Sequence, residues 1–187
     1  MKQTRRRVLA ALGFGVVGSL AGCTGASSAP DEVTTDETTT TPPDFSGCPS
    51  LRETADETVC AATAPADAPV VLAPSRADVA APGTLRFTLT NDSEASLGLN
   101  PYDWALHRET DGGWERVAPD AVIQPWFTLA PGESRTWELQ IGGGHSAPQN
   151  DSTVVAGPLD LEPGTYAFSV VAVGEARTAY VARFRVR

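Results

Sequence analysis

The chain has 187 residues, 41% hydrophobic and 20% charged, with 17 glycines and 15 prolines; that suits one modest core, turn-rich β structure and a flexible part. The formal net charge is −9, and Lys2, Arg5, Arg6 and Arg7 are the only charged residues before Cys23, so 10 of the 14 basic residues stand against all 23 acidic ones from Cys23 onward, with no lysine among them. A surface this acidic repels phosphate backbones and anionic headgroups, which argues against nucleic acid as a partner.

Residues 1–22 read as an address. MKQTRRR is a positive segment, Val8 to Gly22 is an apolar, glycine-containing run of 15 residues, and Leu20-Ala21-Gly22-Cys23 supplies small residues at a cleavage point. The run is short of the roughly 20 apolar residues of a spanning helix, as expected for a signal peptide. Thr4-Arg5-Arg6-Arg7-Val8-Leu9 resembles a twin-arginine export motif, with Val8 where Phe is commonest, so the general secretory route stays open. Leu20-Ala21-Gly22-Cys23 resembles a lipobox. The resemblance implies a lipoprotein whose Cys23 thiol carries a two-chain lipid, anchoring the chain on the extracellular face of the cell membrane. Two chains matter because each buried methylene contributes about 0.8 kcal/mol and one chain alone binds marginally. An uncleaved anchor helix is the alternative. The acidic, lysine-free remainder resembles proteins of extreme halophiles; an acidic proteome from a GC-rich genome is the plainer alternative.

Residues 23–47 are rich in Thr, Ser, Asp, Glu and Pro. They hold too few apolar side chains to offset the entropy of ordering, so a disordered tether is expected, as a plain spacer or with O-glycans on Thr34, Thr35 and Thr38 to Thr41. Cys48 and Cys60 enclose eleven residues. Outside the cytoplasm such a pair reads as a disulfide stapling a cap over 48–69, with a free pair as the alternative. A metal site would need further ligands, and no His lies nearby. PSLRETADETV, between the two cysteines, suggests a short helical turn.

From about Val70 the pattern has period 2. Leu85, Phe87 and Leu89 alternate with Arg86, Thr88 and Thr90; Trp137, Leu139 and Ile141 with Thr136, Glu138 and Gln140; Tyr180, Phe184 and Val186 oppose Arg183, Arg185 and Arg187. TYAFSVVAV aligns Tyr166, Phe168 and Val170. Half-buried antiparallel strands produce this alternation. Further strands are expected at 70–72, 99–108, 114–117 and 123–129. Pro-Gly pairs at 82–83, 131–132 and 163–164 suit type II turns, and Asp111-Gly112-Gly113 suits a hairpin tip. Seven or eight strands over 70–187 imply an all-β fold, an antiparallel β-sandwich.

Leu161-Glu162-Pro163-Gly164-Thr165-Tyr166 resembles a tyrosine corner, and Trp104 stands where immunoglobulin-like sandwiches bury a Trp. Phe87 and Phe168 would take the places of the antibody inter-sheet cysteines, which this chain lacks. With "LRFTLTNDSEASLGLNPYDWALHRETDGGWERV", "FTLAPGESRTWELQI" and "LEPGTYAFSVV", residues 70–187 resemble the bacterial and archaeal immunoglobulin-like domains of secreted and lipid-anchored proteins. A fainter resemblance is to the intracellular proteinase inhibitor of bacilli. These resemblances imply a fold rather than a chemistry.

Catalytic signals are sparse. A blue copper site wants two His, a Cys and usually an axial Met, but the only Met is Met1 and no Cys follows Cys60. His107 opposes the Trp104/Leu106 face and reads as a surface strand residue, and His145 follows Gly142–Gly144 in a loop. Neither Gly-x-Ser-x-Gly nor His-Glu-x-x-His occurs. Asn91 and Asn150 head Asn-x-Ser sequons, glycosylation candidates of a triplet that also arises by chance. Trp126 and Phe127 are expected in the core, with an exposed recognition patch as the alternative. The functional expectation is a non-enzymatic cell-surface binding module with no cofactor and an extracellular protein or glycan as partner; an extracellular proteinase inhibitor is the alternative.

Overall fold

A computed structural model describes residues 44–143 and 152–187, and these contain strands and turns but no helix. The strands are β1 (Glu57–Cys60), β2 (Val70–Pro74), β3 (Asp78–Val79), β4 (Gly83–Asn91), β5 (Leu97–Leu99), β6 (Ala105–Thr110), β7 (Gly113–Ala118), β8 (Phe127–Leu129), β9 (Ser134–Ile141), β10 (Thr153–Leu159), β11 (Gly164–Val173) and β12 (Arg177–Val186). Four of them form one sheet, in the order β10-β9-β4-β2. The other eight form the second sheet around the path β1-β12-β11-β5-β8, with β3 beside β12 and the β6–β7 hairpin beside β11. The fold is an all-β sandwich.

The alternating residues of the long strands fill the space between the sheets. Leu85, Phe87 and Leu89 of β4 and Trp137, Leu139 and Ile141 of β9 are fully buried there, with Tyr166, Phe168 and Val170 of β11 and Phe184 of β12. Phe87 stacks on Phe168 across the two sheets, with centroids 4.3 Å apart and planes 5° from parallel. Trp104 adds a second stacked ring on Phe168, at 5.6 Å. Each such side chain contributes about 1.5–3 kcal/mol on burial, so packing of these rings joins the two sheets. The Tyr166 hydroxyl donates to the Glu162 carbonyl at 2.8 Å, which closes the corner that leads into β11.

The sandwich also departs from the simplest expectation. Short strands raise the total to 12, and three pairings are parallel: β1 and β3 with β12, and β10 with β9. The segment expected as a strand over 99–108 is split between β5 and β6. There Pro101 has no N–H to give to a ladder, and Asn100 forms a turn, its Oδ1 accepting from the Tyr102 N–H at 3.0 Å. The strand expected over 123–129 begins only at Phe127, after Pro125. The helical turn expected between the cysteines is instead a short turn followed by β1. Thr58 and Val59 favour extended backbone there, and β12 offers its edge. Cys48 and Cys60 are disulfide-bonded.

The disulfide-stapled segment covers the outer face of the larger sheet. Cys60, Ala167 and Val181 form a small buried cluster there, with Leu51 and Trp114 against it. Arg183 lies between the Phe45 and Trp114 rings, 5.0 and 5.4 Å from their centroids, and donates to the Ser46 carbonyl at 2.7 Å.

Candidate functional site

The least expected exposed feature is an apolar ledge at one edge of the larger sheet. Ile123 and Trp126 are 64% and 63% exposed, and Phe127, next in the chain, is partly exposed. This overturns the expectation that Trp126 and Phe127 belong to the core. β8 is the sheet's last strand, so no neighbour covers it, and Arg135 lies over the Phe127 ring at 4.9 Å. Trp126 rests on Gly98 of β5, so closely that a Cβ there would come within 2.4 Å of the indole Cζ2. The side chain is therefore seated against backbone while most of its surface faces solvent.

A pocket of about 270 Å³ opens beside this indole, lined by Asn100, Asp103, Val122, Gln124, Pro125, Trp126 and Arg177. Its walls are fixed from three directions. Asn100 Nδ2 donates to the Ile123 carbonyl at 2.7 Å, tying the loop before β8 to the turn after β5. Asp103 is paired with Arg52 of the cap at 2.5 Å. The Arg177 backbone is held by Asp56 through two hydrogen bonds: its N–H donates to the Asp56 carboxylate at 3.0 Å, and its carbonyl accepts from the Asp56 N–H at 2.7 Å. The Arg177 Nε is buried and has no hydrogen-bond partner. The pocket thus combines one exposed indole with amide, carboxylate and guanidinium groups.

The remaining sequence-derived sites are placed elsewhere. His107 is buried, 7% exposed, rather than on the surface. It does lie opposite the Trp104/Leu106 face, but that outer face is covered by the cap. Burial, together with the Arg116 and Arg52 charges, lowers its pKa from 6.5 to about 4, and its buried Nδ1 has no hydrogen-bond partner. Asn91 is fully buried, which corrects its reading as a glycan acceptor. Its Nδ2 donates to the Ala95 and Leu129 carbonyls at 2.9 and 3.0 Å, and its Oδ1 accepts from the Ser93 hydroxyl at 2.6 Å. Asn91 and Ser93 thus form a structural knot below β8, and the sequon serves the fold. Cys23, His145 and Asn150 lie outside the described residues. Among the described residues, no three His, Cys, Asp or Glu side chains are placed to hold a metal ion.

No family model matches the chain, and no curated protein matches it. Solved structures with local likeness include the alkylpurine DNA glycosylase AlkC of Pseudomonas fluorescens, bound to DNA containing an abasic site analogue. It is 18% identical with a TM-score of 0.34, covering 64% of this chain and 30% of that one. The β-glucosidase EmGH1 of Erythrobacter marinus is 14% identical with a TM-score of 0.32, covering 63% of this chain and 15% of that one. The sporulation control protein Spo0M of Bacillus subtilis is 12% identical with a TM-score of 0.32, covering 63% and 48%. This chain spans less than half the length of each of these proteins. Likeness at this level carries no argument about activity.

Proposed function

We propose that the chain is a lipid-anchored binding module, held outside the cell by the Cys23 lipid and tether, with the Trp126 edge of its sandwich as the contact surface. The observation that carries this reading is the Trp126 side chain, 63% exposed yet seated against Gly98 beside a polar pocket. Trp126 is exposed together with Ile123 and Phe127, and a cluster of exposed apolar side chains with an aromatic anchor suits a contact surface. Trp126 lies in the loop before β8, but its seat on Gly98 and the Asn100–Ile123 hydrogen bond hold that loop against the sheet, so little side-chain entropy is lost when a ligand docks.

Two measurements test it. Mass spectrometry of the mature chain should find an N-terminal lipidated Cys23; an intact Met1 or a bare thiol overturns the anchor. Cross-linking from position 124 in intact membranes should capture a protein or glycan partner that the Trp126→Ala chain does not. Equal capture by the two chains overturns the contact surface.

A further inference from the structure

We infer that the pocket beside Trp126 is a carbohydrate site, taking a single pyranose ring of a glycan. This rests on the binding-module reading and adds the ligand's chemistry.

The argument starts from what the pocket offers. A sugar ring has weakly polar C–H faces and a rim of hydroxyls, each of which both donates and accepts. Its recognition needs an aromatic surface for the face and planar polar side chains for the rim. Trp126 supplies the first. Asn100, Asp103, Gln124 and Arg177, which line the same pocket, supply amide, carboxylate and guanidinium groups for the second. Pre-existing bonds hold three of these walls in place. Asn100 is bound to the Ile123 carbonyl, Asp103 to Arg52 and the Arg177 backbone to Asp56, so the rim is ordered before any ligand arrives. Asp103 Oδ1 is the oxygen bound to Arg52 at 2.5 Å, and the buried Arg177 Nε has no partner within the protein.

Size and polarity narrow the class. At about 270 Å³ the pocket falls just below the ~300–1,000 Å³ of clefts that take drug-sized ligands, which suits one ring rather than an extended polymer. A purely apolar ligand would displace water from the amide and guanidinium groups of this lining without replacing its hydrogen bonds, and a site built to hydrogen-bond hydroxyls rejects analogues that lack them. Gly98 belongs to the site although it touches no ligand. Any side chain there would lift the indole from its seat, since a Cβ would sit 2.4 Å from Cζ2.

The test uses the full-length chain in detergent and a panel of glucose, mannose, galactose, N-acetylglucosamine and glucuronate, each also as its oligosaccharide. Trp126 is far more exposed than the buried Trp104 and Trp137, so a ring placed on it should shift the tryptophan emission to shorter wavelength. The expected result is saturable binding by at least one panel member. The dissociation constant should rise about tenfold or more in Trp126→Ala and in Gly98→Ala, and much of the affinity should return in Trp126→Tyr. Unchanged thermal midpoints in these variants would assign the loss to the site. No saturable binding by any panel member overturns the carbohydrate site, as does binding that is indifferent to both substitutions. The broader reading is judged separately. Trp126-dependent capture of a membrane protein, with no sugar bound, would leave the contact surface standing and the carbohydrate site refuted.

Discussion

The two faces of the larger sheet are buried by different means. The inner face meets the four-stranded sheet through large rings and aliphatic chains: Tyr166, Phe168, Val170 and Phe184 against Phe87, Leu89 and Trp137. The outer face is closed by a thin, irregular segment over small residues, Ala167 and Val181, with arginines threaded between. Three outer-face side chains, Arg52, His107 and Arg183, each keep a buried nitrogen without a hydrogen-bond partner, whereas the inner face is apolar. The difference teaches what a covalent staple is for. Where buried area is large and dry, packing suffices; where the cover is thin and polar, loop closure supplies what packing does not.

Breaking the inner face should have the largest effect. Phe168→Ala removes a ring that stacks on both Phe87 and Trp104, and it should cost about 3–5 kcal/mol in chemical denaturation. A loss below 1 kcal/mol would mean that the inter-sheet core carries less than its geometry implies. Replacing both cysteines, Cys48→Ser with Cys60→Ser, should cost on the order of 3 kcal/mol, the loop-closure value for a ring of this size. The loss should come with faster amide exchange in β1 and around Leu51 but not in β4. Uniform loss of protection across both sheets would contradict the distinction between the faces.

The buried histidine gives an effect confined to acid. The folded pKa of His107 is lowered from 6.5 to about 4, so between these values the unfolded chain binds the extra proton and the folded one does not. Stability should therefore hold above 6.5 and decline as pH falls toward 4. His107→Gln should flatten that decline in denaturation midpoints read across the window, and an unchanged slope would show that carboxylates alone set it. The smallest expected effect is at the corner. Tyr166→Phe removes the hydrogen bond to the Glu162 carbonyl and should cost about 1 kcal/mol, with the ring packing intact.

The sandwich is legible in the sequence where its strands have one dry and one wet face. The alternation through Leu85, Phe87 and Leu89 and the turn before Tyr166 suffice to place β4 and β11. The parallel strands are not legible in that way. β10 contains a Gly-Pro pair at 157–158, and β1 is four residues long, so their pairing depends on long connections rather than local pattern. His107 shows the limit of alternation most clearly. Its period places it opposite Leu106, but whether that side is wet depends on Arg52 and its neighbours, more than fifty residues upstream. Trp126 shows the converse. Its hydrophobicity argues for burial, and only the edge position of β8 and the bare backbone of Gly98 leave it in solvent. Pro125 ahead of it was the available local hint that the strand starts late.

The position of the staple has a mechanical consequence. Tension arriving from the N-terminal side of Cys48 does not run through the eleven residues that follow; it crosses the sulfur–sulfur bond and enters the sheet at Cys60. The residues between Cys48 and β1 form a side branch outside that load path, so a pull arriving before Cys48 does not draw on the turn that leads into β1. Reduction would put residues 48–57 in series with the load, so that the pull would next meet the β1–β12 pairing itself.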